Sequence, residues 1–191
     1  MKLSDSKILR VNLSDGKFKE EKLDENLVKS YLGGRGLASK VIFDEVDPKI
    51  DPLSPDNKLI MTSGLLTGTN APTGGRYMVV TKSPLTGTIA SSNSGGMFGN
   101  QLRKTGYIMI VFEGKSDKPV YLSIIDGKPK LNDASDIYGL TVDKATDTLT
   151  EKHPGSKVAC IGPAGEKLSL IASIMNDKGR AAGRSGVGAV M

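Results

Sequence analysis

Residues 71–96, APTGGRYMVVTKSPLTGTIASSNSGG, decide the fold because they place two strand signals between glycine-rich turns. RYMVVTKS and TGTIASSNS are each rich in β-branched or small residues, and the Pro-Leu turn of SPLTG separates them. The stretch also has many hydroxyl groups, two cations and no carboxylate. It therefore predicts two successive strands beside turns that suit an anion.

The sequence before this stretch predicts a hairpin followed by two helices and a strand. ILRVNL and KFKEEKL flank an Asp-Gly turn, which is the signal of an antiparallel hairpin. Asp24 is the expected N-cap of a helix, and the glycines of 33–36 interrupt the helical pattern before LASKVIFDEV resumes it. Asp44 and Glu45 are expected on a solvated helix face. KLIMTSGLL then predicts a buried strand.

The sequence after this stretch continues to mix strands and helices. GGMFGNQLRKTG predicts a short helix with Met97 and Phe98 turned inward and Arg103 and Lys104 turned outward. Further strands are predicted for YIMIVFEG, KVACIGP and SLIASIMN, a second hairpin for VYLSIIDGKPKLN, a helix for TVDKATDTLTEKHPG, and a closely packed helix start for the tail. The whole pattern predicts an α+β fold with mainly antiparallel sheets and interspersed helices.

The composition is that of an ordinary globular domain. Of the 191 residues, 38% are hydrophobic and 25% are charged, and no apolar run approaches the length that spans a bilayer. We therefore expect a cytoplasmic protein without a membrane partner. The single cysteine, Cys160, is expected to pack in the core, and the single histidine, His153, is expected to be solvated. No GxSxG, HExxH or Walker A motif is present, so no catalytic residue is predicted.

The net charge of +5 is concentrated on the glycine-rich part of the chain. Residues 61–115 carry five cations and only one acid, Glu113. Such an excess favours an anionic partner. A nucleic-acid-binding module is one alternative, but it rests on charge alone because no run of lysine and arginine and no basic-aromatic interleaving accompanies it.

Three glycine-rich turns predict a site for a phosphorylated ligand. TGGRY contains Arg76, SSNSGG contains Asn93, and NDKGRAAGR contains Arg180 and Arg184. Glycine lets backbone N–H groups approach an anion, and arginine adds a fork that matches phosphate oxygens. The Gly-Arg dipeptide occurs at 34–35, 75–76 and 183–184, and LLTGTNAPTGGR resembles PLTGTIASSNSGG, which suggests duplicated loops.

Several long motifs together carry a family resemblance. YLGGRGLA, DPLSPDNKLI, GLLTGTNAPTGGRYMVVTKSPLTG, NSGGMFGNQL and IMNDKGRAAGRSGVGAVM occur in this order. From about residue 8 to its end, the chain resembles the N-terminal domain of the tungsten-containing aldehyde ferredoxin oxidoreductases. The resemblance implies one pseudo-duplicated α+β domain, residues 1–191, that binds tungsten held by two molybdopterin molecules. The metal would take its sulfur ligands from the pterins and not from the protein.

The resemblance also implies a set of site residues. A Mg²⁺ ion would bridge the two pterin phosphates and take the backbone carbonyls of Asn93 and Ala181 as ligands. Arg76 would contact the pterin on the side of a neighbouring 4Fe-4S cluster. Further contacts to phosphate and pterin would come from Gly95, Arg180, Ala182, Gly183 and Arg184. Residues 71–96 would thus hold the anionic arms of the cofactor and keep carboxylates away from them.

The activity implied by the resemblance belongs to a longer protein. Such an oxidoreductase converts an aldehyde to a carboxylate and passes electrons through the 4Fe-4S cluster, bound by further domains, to ferredoxin. The ending SGVGAVM suggests a fragment that is inactive alone, and a homodimer is expected for the intact enzyme. An alternative from another class is a stand-alone, non-catalytic protein that carries or assembles the pterin cofactor.

Overall fold

The computed structural model describes residues 6–72 and 74–191 and contains a central six-stranded sheet. Helices are interspersed among the strands along the chain. In order they are β1 (Lys7–Asn12), β2 (Phe18–Lys22), α1 (Glu25–Tyr31), α2 (Gly34–Glu45), β3 (Lys58–Ser63), β4 (Tyr77–Lys82), β5 (Ile89–Ser94), α3 (Phe98–Lys104), β6 (Tyr107–Glu113), β7 (Val120–Ile125), β8 (Lys128–Asp133), α4 (Val142–Lys152), β9 (Ala159–Cys160), α5 (Pro163–Glu166), β10 (Ile174–Asn176), β11 (Arg180–Ala182) and α6 (Val187–Val190).

The central sheet has the order β2-β1-β6-β3-β4-β5. All its pairs are antiparallel except β1 with β6, so the predicted α+β class with mainly antiparallel sheets is confirmed. β4 and β5 are neighbours, as residues 71–96 predict, and Met78 pairs with Asn93. β5 is the edge strand of the sheet, which leaves one side of its backbone without a partner strand in this sheet.

Both Asp-Gly hairpins form as the sequence predicts. β1 pairs with β2, and β7 pairs with β8 in a separate two-stranded sheet. Asp126 and Gly127 both have positive φ, 50° and 75°, as the tight turn of a two-residue hairpin requires. β9, β10 and β11 form a third sheet in the order β11-β10-β9.

Apolar side chains cover both faces of the central sheet. On one face, Leu37, Ala38 and Ile42 of α2 pack with Ile60 of β3 and Val80 of β4. On the other face, strand residues such as Met61 and Val79 pack with residues of β10, β11 and α6, and the β7–β8 hairpin covers a third cluster. Each fully buried aliphatic side chain contributes roughly 1.5–3 kcal/mol of transfer free energy. The apolar clusters on both faces therefore stabilise the sheet between its two covering layers.

The break between the first two helices lies earlier than GGRG predicts. Leu32 is left-handed (φ 61°) and ends α1, and Gly33 (φ 91°) is the N-cap of α2. α2 therefore begins at Gly34, and Arg35 belongs to its first turn. The last residue of α2, Glu45, is not simply solvated: it accepts hydrogen bonds from Arg10, with N···O distances of 2.6 and 2.8 Å.

Two side chains of the short helix α3 point opposite to the prediction. Met97 lies at the N-cap, before the helix begins, and is 51% exposed. Arg103 is only 6% exposed, because its stem lies beside Gly68 and its Nη1 donates to Ser6 Oγ at 2.8 Å. Phe98 packs against the buried ring of Tyr77, as its predicted inward position requires.

The C-terminal third differs from the prediction mainly in the length of its elements. Pro163 begins the short helix α5 directly after Gly162, so β9 stops at Cys160. Leu168 has φ 56°, a turn conformation, and the strand predicted for SLIASIMN is reduced to β10. β11 is an additional strand, and α6 supplies the helix predicted for the tail.

The predictions for Cys160 and His153 have opposite outcomes. Cys160 is buried, as predicted, and this burial raises the pKa of its thiol. The prediction of a solvated His153 is wrong. Its ring is half-buried, lies edge-on to Tyr121, and has Nε2 at 3.1 Å from the tyrosine hydroxyl. Among the described residues, no helix combines the length and the apolar character needed to cross a bilayer.

Candidate functional site on the edge strand β5

β5 presents polar side chains on both of its faces. Successive side chains of a strand alternate, so Ser91 and Asn93 lie on the face that α2 covers, while Ser92 and Ser94 face the β10–β11 layer. The contacts agree with this alternation, because Ser91 meets Arg35 of α2 whereas Ser94 meets Asn176 of β10. Hydroxyl and amide groups on both faces are unusual for a strand of the central sheet. At an edge strand they suit a polar ligand.

Three of the four Gly-Arg dipeptides, those at 34–35, 75–76 and 183–184, contact three successive residues of β5. Arg35 Nε donates to Ser91 Oγ at 2.9 Å, and the backbone N–H of Arg184 donates to Ser92 Oγ at 3.1 Å. The third dipeptide, 75–76, meets the following residue, because Arg76 contacts Asn93. The dipeptides approach β5 from both faces, so glycine-linked arginines surround the strand.

Arg76 and Asn93 form the closest of these contacts. Arg76 Nε donates to Asn93 Oδ1 at 3.1 Å, and Nη2 of the same guanidinium donates to the same oxygen. Arg76 is exposed, and no ion pair joins it to another described residue. Its guanidinium is therefore oriented by a neutral amide and retains its full charge for an anion.

A buried hydrogen-bond network joins β5 to β10. Asn176 is fully buried, and its Oδ1 accepts from Ser94 Oγ at 2.7 Å and from Tyr77 Oη at 3.2 Å. Its Nδ2 donates to the backbone carbonyl of Gly95 at 2.9 Å. Burial is the main reason why the pKa of Tyr77 is raised, so this hydroxyl remains a neutral donor. The network fixes the position of the glycine turn that follows β5.

The neighbouring glycines Gly95 and Gly96 have different surroundings. A Cβ on Gly96 would lie 2.1 Å from Asp177 Oδ2, and Gly96 has φ 89°, so its missing side chain makes room within the protein. A Cβ on Gly95 would meet only Arg76 Nη1, at 3.5 Å. Gly95 therefore leaves an open space directly in front of the guanidinium, which a bound group could occupy.

Asp177 is a site neighbour that the sequence does not predict. Its Oδ2 accepts a hydrogen bond from the backbone N–H of Met97 at 2.6 Å and from Asn176 Nδ2 at 3.1 Å. Asp177 thus brings a carboxylate next to the glycine turn that follows β5. The two partners are 80 positions apart, and no local pattern could have indicated their contact.

β11 places the remaining predicted residues beside β5. The two strands pack against each other, and Ala181 pairs with Met175. Ala182 is fully buried in the core, so only its backbone can reach a ligand. The other predicted residues of this segment are exposed: Arg180, Ala181, Gly183 and Arg184. Thr73 of the predicted TGGRY turn lies outside the described residues.

An open cavity of about 400 Å³ lies on the α2 side of Arg76. Its walls are mainly apolar and include Leu32, Leu66 and Met78, together with Gly34 at the start of α2. The first turn of α2 has no acidic residue, and its N-cap, Gly33, makes no side-chain hydrogen bond. The guanidinium of Arg76 thus adjoins a hollow without opposing negative charge from this helix.

The site is rich in phosphate-binding groups rather than in metal-binding side chains. Within residues 6–72 and 74–191, no three His, Cys, Asp or Glu side chains are grouped so that they could hold a metal ion. The arginines, the hydroxyl groups of β5 and the open space at Gly95 instead fit the phosphate arms of a larger molecule. These groups would therefore suit a cofactor that brings its own metal and is held by the protein through its phosphates.

Comparison with solved structures defines the class of protein. The structure matches a chain in the active-site complex BamBC of benzoyl coenzyme A reductase, in complex with 1,5-dienoyl-CoA, with a TM-score of 0.96 and 37% sequence identity. The match covers 99% of this chain and 29% of that chain. The fold is thus that of an α+β domain found in a much longer oxidoreductase subunit.

Comparison of sequences identifies the family. Residues 8–191 match the model of the aldehyde ferredoxin oxidoreductase N-terminal domain, and the chain belongs to this family. It is 57% identical over 188 residues to the tungsten-containing aldehyde ferredoxin oxidoreductase of Pyrococcus furiosus, and 55% identical to that of Thermococcus kodakarensis. Each alignment covers 97% of this chain and 31% of the relative, so the chain spans less than a third of these relatives' length.

A more distant relative has a different name. The aliphatic sulfonate oxidoreductase, WOR-like subunit, of Pyrococcus furiosus is 32% identical over 202 residues, again with 97% of this chain aligned. Proteins similar to this chain are therefore named for aldehydes and for sulfonates, and the domain's fold also occurs in a benzoyl coenzyme A reductase.

Proposed function

We propose that this chain is the cofactor-binding domain of an aldehyde:ferredoxin oxidoreductase and that it holds a tungsten bis-molybdopterin cofactor at β5. The observation that carries the proposal is the convergence of Arg76, Asn93 and β11 at the edge strand, beside the open space at Gly95. Four relatives of more than 50% identity are named tungsten-containing aldehyde ferredoxin oxidoreductases, which supports tungsten as the metal.

In this proposal, two protein segments grip the phosphate arms of the cofactor. Arg76, already oriented by Asn93, binds a phosphate or the pterin through the N–H groups of Nη1, the guanidinium nitrogen nearest to Gly95. Arg180, Gly183 and Arg184 approach from the β11 side, with Gly183 lacking a side chain that would block the approach. None of these arginines forms an ion pair with another residue that the structure describes, so their charges are available to attract a phosphate.

A Mg²⁺ ion is proposed between the two arms, bound through the backbone carbonyls of Asn93 and Ala181. Such an ion prefers oxygen ligands and commonly combines few protein ligands with phosphate oxygens. β5 and β11 are the two strands that pack together here, so carbonyls from both can contribute to one ion. The packing of these strands supports this placement of the ion.

The tungsten centre supplies the two-electron redox chemistry that converts an aldehyde to a carboxylate. This chain's residues bind and orient the cofactor. A 4Fe-4S cluster held by other parts of the longer protein would pass the electrons to ferredoxin. Because proteins with this domain carry names for different substrates, we place the choice of aldehyde outside this domain. The homodimer, the cytoplasmic location and the pseudo-duplication remain predictions.

The proposal is tested by titrating the purified chain with tungsten bis-molybdopterin released from a related enzyme. Saturable binding is expected, and Arg76→Ala should weaken it while Lys115→Ala, which removes an exposed cation distant from β5, should not. Binding as tight as in an intact enzyme would instead favour the stand-alone carrier. Absence of saturable binding would contradict the proposed function.

A further inference from the structure

The turn between β10 and β11 has a strained backbone. Asp177 and Lys178 both have left-handed conformations, with φ 46° and 57°, although neither is glycine. Two consecutive residues of this kind are uncommon and persist only where surrounding contacts hold them. Contacts from outside the turn therefore help to stabilise it, above all at Lys178, whose side chain disfavours positive φ.

The Asp177 carboxylate restrains the turn by joining it to the start of α3. One oxygen, Oδ2, accepts from Met97 N at 2.6 Å and from Asn176 Nδ2 at 3.1 Å. Gly96 lacks a side chain at the point where a Cβ would collide with this oxygen. Three features on two segments thus serve the same contact: the turn and the neighbouring buried amide of Asn176 on one segment, and Gly96 on the other.

The restraint lies between the two strands of the proposed site. Asn93 precedes Gly96 and Met97 by a few residues, and Ala181 follows Asp177 by four. A contact from Asp177 to Met97 therefore fixes the distance between the segment that carries Asn93 and the segment that carries Ala181. Both segments must be correctly spaced if one ion is to bridge two phosphates.

We propose that Asp177 is a positioning residue for the cofactor site, and that it acts as a hydrogen-bond clamp that sets the spacing of β5 and β11. This inference rests on the proposed function. Asp177 acts through Met97 N and Asn176 and not through its charge on the ligand. The side chain must therefore be replaceable by a neutral acceptor of the same shape.

The test compares four forms of the chain: unaltered, Asp177→Asn, Asp177→Gly and Lys178→Gly. Asparagine retains an acceptor oxygen and tolerates positive φ, whereas glycine relaxes the backbone and removes the acceptor. Lys178→Gly is the matched control, because it relaxes the same turn and removes the Lys178–Asp147 ion pair while leaving the clamp intact. All four should fold, which melting curves would verify.

Each form is titrated with Mg²⁺-pyrophosphate, a probe with two phosphoryl groups, and with orthophosphate, a probe with one. For Asp177→Gly we expect about tenfold weaker binding of Mg²⁺-pyrophosphate and less than about a twofold change for orthophosphate, because only the first probe spans both strands. Asp177→Asn and Lys178→Gly should bind like the unaltered chain. Amide exchange at Met97 should accelerate in Asp177→Gly alone.

The outcomes distinguish failure of this inference from failure of the proposed function on which it rests. If the unaltered chain fails to bind Mg²⁺-pyrophosphate, the proposed phosphate site and the clamp are both overturned. If it binds, but Asp177→Gly loses protection at Met97 and keeps its affinity, the positioning role alone is overturned. If Asp177→Asn loses affinity to the same extent as Asp177→Gly, the carboxylate acts through its charge and the clamp is again wrong.

Discussion

Arginines at opposite edges of the central sheet have very different partners. Near β2, Arg10 donates to Glu21, Glu45 and Glu113, with N···O distances of 3.0, 2.6 and 2.9 Å. Its hydrogen bond to Glu45, opposed by burial and assisted by the other two carboxylates, raises the pKa of Arg10 above its ordinary value. At β5, the guanidinium of Arg76 has only the neutral amide of Asn93 as a polar partner among the described residues.

The difference teaches how to distinguish structural from functional arginines in this fold. The charge of Arg10 is satisfied within the protein, since three carboxylates surround it. Lys58 also pairs with Glu113 and so neutralises part of the excess negative charge of these carboxylates. The charge of Arg76 is oriented but not neutralised, so it remains available to a ligand. A polar cluster with matched charges stabilises the fold, and one with unmatched cations binds an anion.

The largest effect on the free energy of unfolding is expected from Gly96→Ala, in the turn between β5 and α3. A Cβ there would lie 2.1 Å from Asp177 Oδ2 on a backbone with φ 89°, so unfolding free energy should fall by about 2–4 kcal/mol. Gly95→Ala is the matched control, because its Cβ meets only Arg76 Nη1 at an ordinary 3.5 Å. Urea unfolding should show a loss for Gly96→Ala only; equal stability of the two variants would refute the distinction between these glycines.

Arg10→Ala should be the next largest change, and it should affect stability alone. The substitution leaves three partly buried carboxylates without their shared donor and should cost roughly 1–3 kcal/mol of unfolding free energy. Affinity for Mg²⁺-pyrophosphate should remain unchanged. A loss of affinity at constant stability would reverse the roles that we assign to the two edges.

Arg76→Ala should show the opposite behaviour. Loss of one guanidinium from the anion site should weaken Mg²⁺-pyrophosphate binding about tenfold, or about 1.4 kcal/mol. Unfolding free energy should change by less than about 0.5 kcal/mol, since the side chain is exposed and unpaired with any described carboxylate. Calorimetric titration alongside urea unfolding measures both quantities, and the account fails here if affinity is retained.

The smallest expected effect is a difference in acid stability. Burial alone would raise the pKa of Glu113, but hydrogen bonds from Lys58 and Arg10 outweigh it and lower the pKa. A carboxyl group with a lowered folded-state pKa stabilises the protein above its ordinary pKa, and this contribution is lost as the pH falls through the folded value. Glu113→Gln should therefore flatten the decline of melting temperature below about pH 5, and an unchanged decline would contradict the assigned role of Glu113.

Local patterns in the sequence predict much of the fold. The two Asp-Gly hairpins form because both strands and the turn lie within a few residues, and the β4–β5 pair follows from one continuous stretch, 71–96. Errors arise where an element's first residue decides the direction of a side chain. Met97 is exposed because α3 begins one residue later, and the buried position of Arg103 depends on a contact with Ser6 across 97 positions.

The site is less predictable than the fold because its contacts are distant in sequence. The resemblance names Arg76 and Asn93, and the structure places them in contact. Arg35 meets Ser91 across 56 positions, and Asp177 meets Met97 across 80. The repeated Gly-Arg dipeptide was the one sequence signal for Arg35, and no comparable signal points to Asp177.

The most direct test of the central claim is to map Mg²⁺-pyrophosphate on the chain by amide chemical shifts. If β5 and β11 form one phosphate site, the largest shifts should fall at Arg76, at 93–97 and at 180–184, with a common saturation curve. Shifts that instead spread over surface lysines, or that leave 180–184 unchanged while 93–97 respond, would contradict a site built from both strands.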